Sequence, residues 1–119
     1  MPTADELNGI LGLKLVEKGG GAGYCGYVDL LSVPGKKITY DISCRIEYAD
    51  LAGGTAVGGL GLQSSYLTNP SGSKGVTTQL MTKHHDTASN NACSAGFESN
   101  GPANTKDQEI AVMRLLIGQ

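Results

Sequence analysis

The sequence predicts an α+β fold: an antiparallel β-meander of four to five strands, a short N-terminal helix, and a C-terminal helix packed on one sheet face. Three observations predict it. Apolar and polar residues alternate without a break from Ile38 to Tyr48, the period of a half-buried strand. Thr3-Ala4-Asp5-Glu6 has the form of a capping box, which opens a helix. Near the other end, Thr105-Lys106-Asp107-Gln108 repeats that form, with Asp107 and Glu109 in the first turn, Arg114 near the end and Gly118 beyond it. An all-β sandwich or barrel is the runner-up, because Ile110 to Ile117 would also serve as a buried strand.

The first helix is expected to run to about Gly9, since Gly9 and Gly12 weaken a helix and Leu11, Leu13 and Leu15 alternate as a strand does; one continuous helix to Lys18 is the rival. Gly19-Gly20-Gly21 then ends either element. Tyr24 to Val33 reads as the next strand. Pro34-Gly35 supplies a tight turn, with proline presetting φ and glycine allowing a positive one. A reversal about that dipeptide sets Leu31 opposite Ile38, Asp29 opposite Tyr40, Tyr27 opposite Ile42 and Cys25 opposite Cys44.

That register places Asp29 on the apolar face beside Tyr27 and Tyr40. A carboxylate there must be hydrogen-bonded or have its pKa raised, so these three residues are the candidate ligand-binding set. A slip of one residue or a bulge would instead turn Asp29 to solvent.

Leu60, Leu62, Ser64 and Tyr66 alternate as a further strand, weakened by Gly58, Gly59 and Gly61. No helix follows these glycines, so they lack the strand–loop–helix setting of a phosphate cradle. Asn69 to Gly75 is dense in turn formers and predicts a hairpin tip, from which Val76 to Thr82 returns as the partner strand. Thr87 to Asn104 is rich in Ser, Asn, Ala and Gly and reads as a lid, a binding or assembly loop, or a disordered stretch; if ordered, Phe97 is expected to anchor it to the core or to a neighbouring subunit. On the last helix, Ile110, Met113, Leu116 and Ile117 share a face, and Val112 and Leu115 widen the apolar surface beyond what one sheet face covers.

Composition narrows the function classes. An apolar fraction of 39% with a formal charge of −2 suits a globular domain, here one spanning 1–119. Only Lys36-Lys37 are adjacent bases, which argues against a nucleic-acid surface. No apolar run approaches the roughly eighteen residues needed to cross a bilayer, and Met1-Pro2-Thr3 lacks the basic start of a signal peptide. A cytoplasmic location without a membrane partner is the expectation. The three cysteines, Cys25, Cys44 and Cys93, form no CxxC pair, so buried thiols are expected rather than a metal site or disulfide scaffold.

Chemistry has one sequence-local candidate, Lys83-His84-His85-Asp86, where His84 or His85 could pair with Asp86 and Cys93 lies near in the chain. These are weak catalytic candidates, with no cofactor or metal implied. Three readings follow. The first is a non-enzymatic, self-associating binding module with a small-molecule pocket between sheet and helix or at a subunit interface. The second is a coat-like self-assembling subunit. The third is a small hydrolase or acid–base enzyme using His84, His85 and Asp86. The wide apolar surface of the last helix makes a dimer or higher homo-oligomer the expected partner state.

Overall fold

The computed structural model describes residues 1–71 and 75–119. Two helices, α1 (Ala4–Leu11) and α2 (Lys106–Ile117), bracket seven strands in chain order: β1 (Val16–Gly21), β2 (Tyr24–Asp29), β3 (Ile38–Ile46), β4 (Thr55–Ala56), β5 (Gln63–Ser71), β6 (Gly75–Lys83) and β7 (Ala92–Ser99). The strands form one open antiparallel sheet in the order β1-β2-β3-β7-β6-β5-β4. This is an α+β architecture; the barrel alternative does not apply. Two short meanders, β1 to β3 and β4 to β7, join where β7 pairs with β3.

The added strands come from segments whose composition hides them. β7 occupies the middle of what reads as a long loop. Its Ala92, Ala95 and Gly96 have low strand propensity, yet β7 lies between β3 and β6 with α2 against it, and close approach favours small side chains. At Gly96 a Cβ would fall 2.0 Å from the Thr78 carbonyl oxygen, so no larger residue fits without backbone movement. The Gly19–Gly21 triplet forms the last three residues of β1, which ends at Gly21, and residues 12–15 connect α1 to that strand.

The β2–β3 register differs from the expected one by two residues. Tyr27 pairs with Tyr40, Asp29 with Ile38 and Cys25 with Ile42. A two-residue shift keeps every side chain on its face, so Asp29 stays buried. The cause is the turn: the chain leaves the sheet at Asp29 and returns at Ile38 through a loop closed by Lys36 N–H on the Val33 carbonyl, instead of reversing tightly about Pro34-Gly35. Cys44 therefore lies opposite Cys93 of β7, to which it is disulfide-bonded, and Cys25 is a free, buried thiol. The expected Cys25–Cys44 neighbourhood and the expectation of three thiols are corrected accordingly.

Both helices cover one sheet face. Its core comprises Tyr27, Ile38, Tyr40, Ile42, Leu80, Ala95 and Phe97 from the strands, Leu7 and Leu11 from α1, and Val112 and Met113 from α2. α1 starts as expected: Thr3 Oγ1 accepts from Glu6 N–H at 3.1 Å while Glu6 Oε1 accepts from Thr3 N–H at 2.9 Å. It runs two residues past Gly9 and stops at Gly12, whose φ of 69° closes the helix with a bond to the Asn8 carbonyl. α2 does not use the expected box, because the Thr105 hydroxyl turns inward to Glu109 and the Pro102 carbonyl. The expected hairpin tip at 69–75 lies partly outside the described residues; Ser71 and Gly75 are paired at its base. Among the described residues no helix is long and apolar enough to cross a membrane.

Candidate functional sites

Asp29, Tyr27 and Tyr40 are brought together, but as parts of the interior. Asp29 Oδ1 accepts from the backbone N–H of Leu31 and Ser32, both at 2.8 Å, and Oδ2 accepts from Lys14 N–H at 2.8 Å and Ser32 Oγ–H at 2.5 Å. Burial alone would raise its pKa; these four donors outweigh it and hold the carboxyl down at about 2. The carboxylate thus organises the loop that follows β2 and ties it to the segment after α1. Tyr27 is buried and donates to the Pro2 carbonyl at 2.7 Å. Tyr40 is buried and meets Phe97 edge-on, with ring centroids 4.9 Å apart. Its hydroxyl has no hydrogen-bond partner among the described residues.

A second polar centre, which sequence reading missed, lies under α2. Glu109 is fully buried and accepts hydrogen bonds from Tyr66 Oη at 2.8 Å, Thr105 Oγ1 at 3.2 Å and Thr78 Oγ1. Thr78 Oγ1 in turn accepts from Phe97 N–H at 2.9 Å, linking helix, β5, β6 and β7. Burial raises the Glu109 pKa, and the three hydroxyl donors oppose that rise. Position 109 in the first turn of a helix reads as a solvated, dipole-favoured carboxylate, so the sequence carries no signal for this role. Asp29 and Glu109 are thus both engaged by internal donors.

The histidine segment is held by Asn91. Its carbonyl accepts from His84 N–H and His85 N–H, its Oδ1 from Tyr48 N–H at 2.7 Å, and its Nδ2 donates to the Thr87 carbonyl at 2.7 Å. The two imidazoles sit against each other with centroids 4.2 Å apart. Asp86 is exposed and pairs with Lys83 at 3.7 Å rather than with a histidine. His84 Nε2 lies 3.7 Å from Cys93 Sγ, whose sulfur is already bonded to Cys44. A His–Asp dyad or a free Cys–His nucleophile is therefore not assembled. Among the described residues no group of three or more His, Cys, Asp or Glu side chains is placed to hold a metal ion.

On the uncovered sheet face a hollow of about 300 Å³ is lined by Tyr24, Asp41, Ser43, Gln79, Ser94 and Glu98. Tyr24 donates to Asp41 at 2.5 Å, which, with burial, pushes its pKa up to about 12. At the end of the sheet where β6 begins, Leu30, Leu31 and Val33 are exposed beside an apolar groove of about 390 Å³ formed by Leu13, Ile38, Gly101 and Pro102. At the other end, where β6 finishes, Leu62 is exposed beside Ile117 and Gln119. Leu115 of α2 is also exposed, and Ile110, Leu116 and Ile117 are only half-buried. No protein-family model, curated protein or solved structure matches this chain.

Proposed function

We propose that this chain is a non-enzymatic, self-assembling structural subunit of the coat-like kind, in which copies associate through apolar surfaces at both ends of the sheet. The observation that carries this reading is the contrast between interior and surface. Inside, Asp29, Glu109 and Asn91 are spent on holding the fold. Outside, large apolar side chains remain uncovered: Leu30 at 63% and Leu31 at 72% exposure at one end, Leu62 at 62% and Leu115 at 45% elsewhere. Burying such a leucine against a neighbour is worth roughly 1–2 kcal/mol, and clusters of them mark contact sites.

Their placement favours a multi-copy structure over a simple pair. The loop at 30–37 and the Leu62–Ile117 patch flank opposite ends of β6, roughly 25–30 Å apart for a strand of this length. One subunit can then touch two neighbours through unlike surfaces, and such contacts generate rings, shells or filaments. Direct sheet extension is disfavoured at both edges. β1 carries Glu17, Lys18 and a bulge between Glu17 and Gly19; the other edge is capped by the two-residue β4 and carries Pro70.

A ligand-binding module is the second reading, favoured by the Tyr24–Asp41–Glu98 hollow on the uncovered face. Light scattering coupled to size exclusion, followed by electron microscopy of the leading fraction, separates the two. Large regular particles support assembly. A monomer that stays monomeric at high concentration overturns it and leaves the hollow as the site to probe.

A further inference from the structure

We propose that the Cys44–Cys93 bond is a thiol-exchange site, at which a small aliphatic thiol of the glutathione class attacks Cys44 and His84 protonates the departing Cys93. The two sulfurs are not equivalent. Cys93 is 3% exposed and screened on one side by the His84 ring, whereas Cys44 is only partly buried at the end of β3. Arg45, next to Cys44, is exposed and sits at a φ of 62°, where β3 breaks register with β7. An incoming thiolate therefore meets Cys44 first, and the leaving sulfur is the one with an imidazole nitrogen 3.7 Å away.

The exchange balances as follows. The thiolate sulfur bonds to Cys44 Sγ, the Cys44–Cys93 bond breaks, and its electron pair leaves on Cys93 Sγ, which takes the proton from His84 Nε2. A second thiolate then attacks the external sulfur of the mixed disulfide, releasing Cys44 as a thiolate and the small-molecule disulfide. Two thiols are oxidised and one protein disulfide is reduced. A leaving sulfur departs faster when the charge developing on it is lowered, and a proton delivered from a positioned imidazole does this as the bond breaks. The bond thus opens where the small thiol predominates and re-forms, by the same two exchanges in reverse, where the small-molecule disulfide predominates as oxidant, which gives the chain two covalent states in different compartments.

His84 sits in a defined surround. The His85 ring lies against it, Lys83 and Asp86 pair with each other beside it, and Leu62, Ile117 and Gln119 line the same hollow. Burial first, and His85 second, lower the His84 pKa, so the acid form grows in as the medium turns acidic.

The test is the reduction rate of the air-oxidised protein by glutathione, trapped with iodoacetamide and read by mass. Rates are expressed per glutathione thiolate, from about pH 8 to about pH 5.5, across the range in which histidine titrates. The per-thiolate rate should rise on acidification, by about 10²-fold over His84→Gln at the acid end, the lower range for a positioned acid. His85→Gln should keep the rise. The first mixed disulfide should map to Cys44. Superimposable profiles for wild type and His84→Gln, first trapping on Cys93, or three free thiols in the air-oxidised protein each overturn the proposal. Should His84→Gln lose its fold by circular dichroism, the trapping position in wild type and loss of the acid-side rise in denaturant decide.

Discussion

Tyr66 Oη, on β5, donates a hydrogen bond to Glu109 Oε2, on α2, across 2.8 Å of fully enclosed interior. The pair sets the height of α2 above the sheet, and it does so with a group that is costly to bury unless every acceptor site is used. Removing the donor leaves that cost uncompensated. Tyr66→Phe should destabilise the protein by about 1–3 kcal/mol. Tyr40→Phe should be neutral or stabilising, because the hydroxyl it deletes is buried without a partner among the described residues. Denaturant unfolding of the two variants checks the contrast, and equal losses would contradict the hydrogen-bond assignment.

The two buried carboxyls make opposite contributions to the pH profile. Asp29 is held at about 2 in the folded chain, below its ordinary 3.8, so folding releases its proton. Its contribution is present above pH 3.8 and disappears as pH falls toward about 2. Glu109 is raised above its ordinary 4.5, so folding takes up a proton there. Its contribution is complete below pH 4.5 and is lost as pH rises through the folded pKa. Glu109→Gln should therefore gain stability relative to wild type as pH increases from about 4.5, while Asp29→Asn should remove the acid-side loss. Thermal melts from acid to neutral pH distinguish the two slopes.

How much of this was legible in the sequence divides along physical lines. The Ile38–Ile46 strand and both helices follow from periodicity and helix-end signals, the Thr3–Glu6 box for α1 and Gly118 for α2, which are local properties; the side taken by Asp29 depends on strand register and stays open in the sequence. β7 was not legible because its residues are small to suit the helix and strands beside it, a reason that exists only in the folded chain. Missing β7 hid the Cys44–Cys93 pairing and left Ser94 and Glu98 unaligned with Asp41 and Ser43 on the open face. Glu109 was misplaced for a related cause: its burial depends on Tyr66 and Thr78, which lie 43 and 31 residues away in the chain.

The disulfide closes a loop with a sequence separation of 49 between β3 and the central strand β7. By the chain-entropy relation such a loop is worth at most about 4 kcal/mol. Cys44→Ala with Cys93→Ala should lower stability by roughly 2–4 kcal/mol, and wild type melted with excess reductant should match the double variant. A melting temperature unmoved by reductant would mean the bond does not constrain the unfolded chain.

Asn91 is where the turn between β6 and β7 is decided. One side chain satisfies Tyr48 N–H and the Thr87 carbonyl, while its own carbonyl receives two histidine N–H groups. Asn91→Ala deletes the first two bonds and should cost about 1–3 kcal/mol, with the amide of Tyr48 left to find water. Because His84 is positioned through the Asn91 backbone, which the substitution keeps, amide exchange should rise at Tyr48 more than at His84. Uniformly faster exchange across the sheet would instead assign Asn91 a global role.

Assembly makes the sharpest demand on surface side chains, since their removal should leave the fold untouched. Leu31 and Leu115 are exposed at 72% and 45%, so a charge at either has little to disturb within one subunit. Within a contact between copies, Leu31→Glu buries a carboxylate against apolar neighbours, a penalty of several kcal/mol that a multi-copy structure repeats at every interface. Leu31→Glu and Leu115→Glu should each keep the wild-type melting transition at high dilution and shift the light-scattering mass downward. If the 30–37 loop and the Leu62–Ile117 patch act as unlike halves of one contact, mixing Leu31→Glu with Leu62→Glu should restore part of the mass, because each supplies the half the other lacks. A mass unchanged by either substitution would remove these leucines from the interface and, with it, the reading of the exposed ends as contact surfaces.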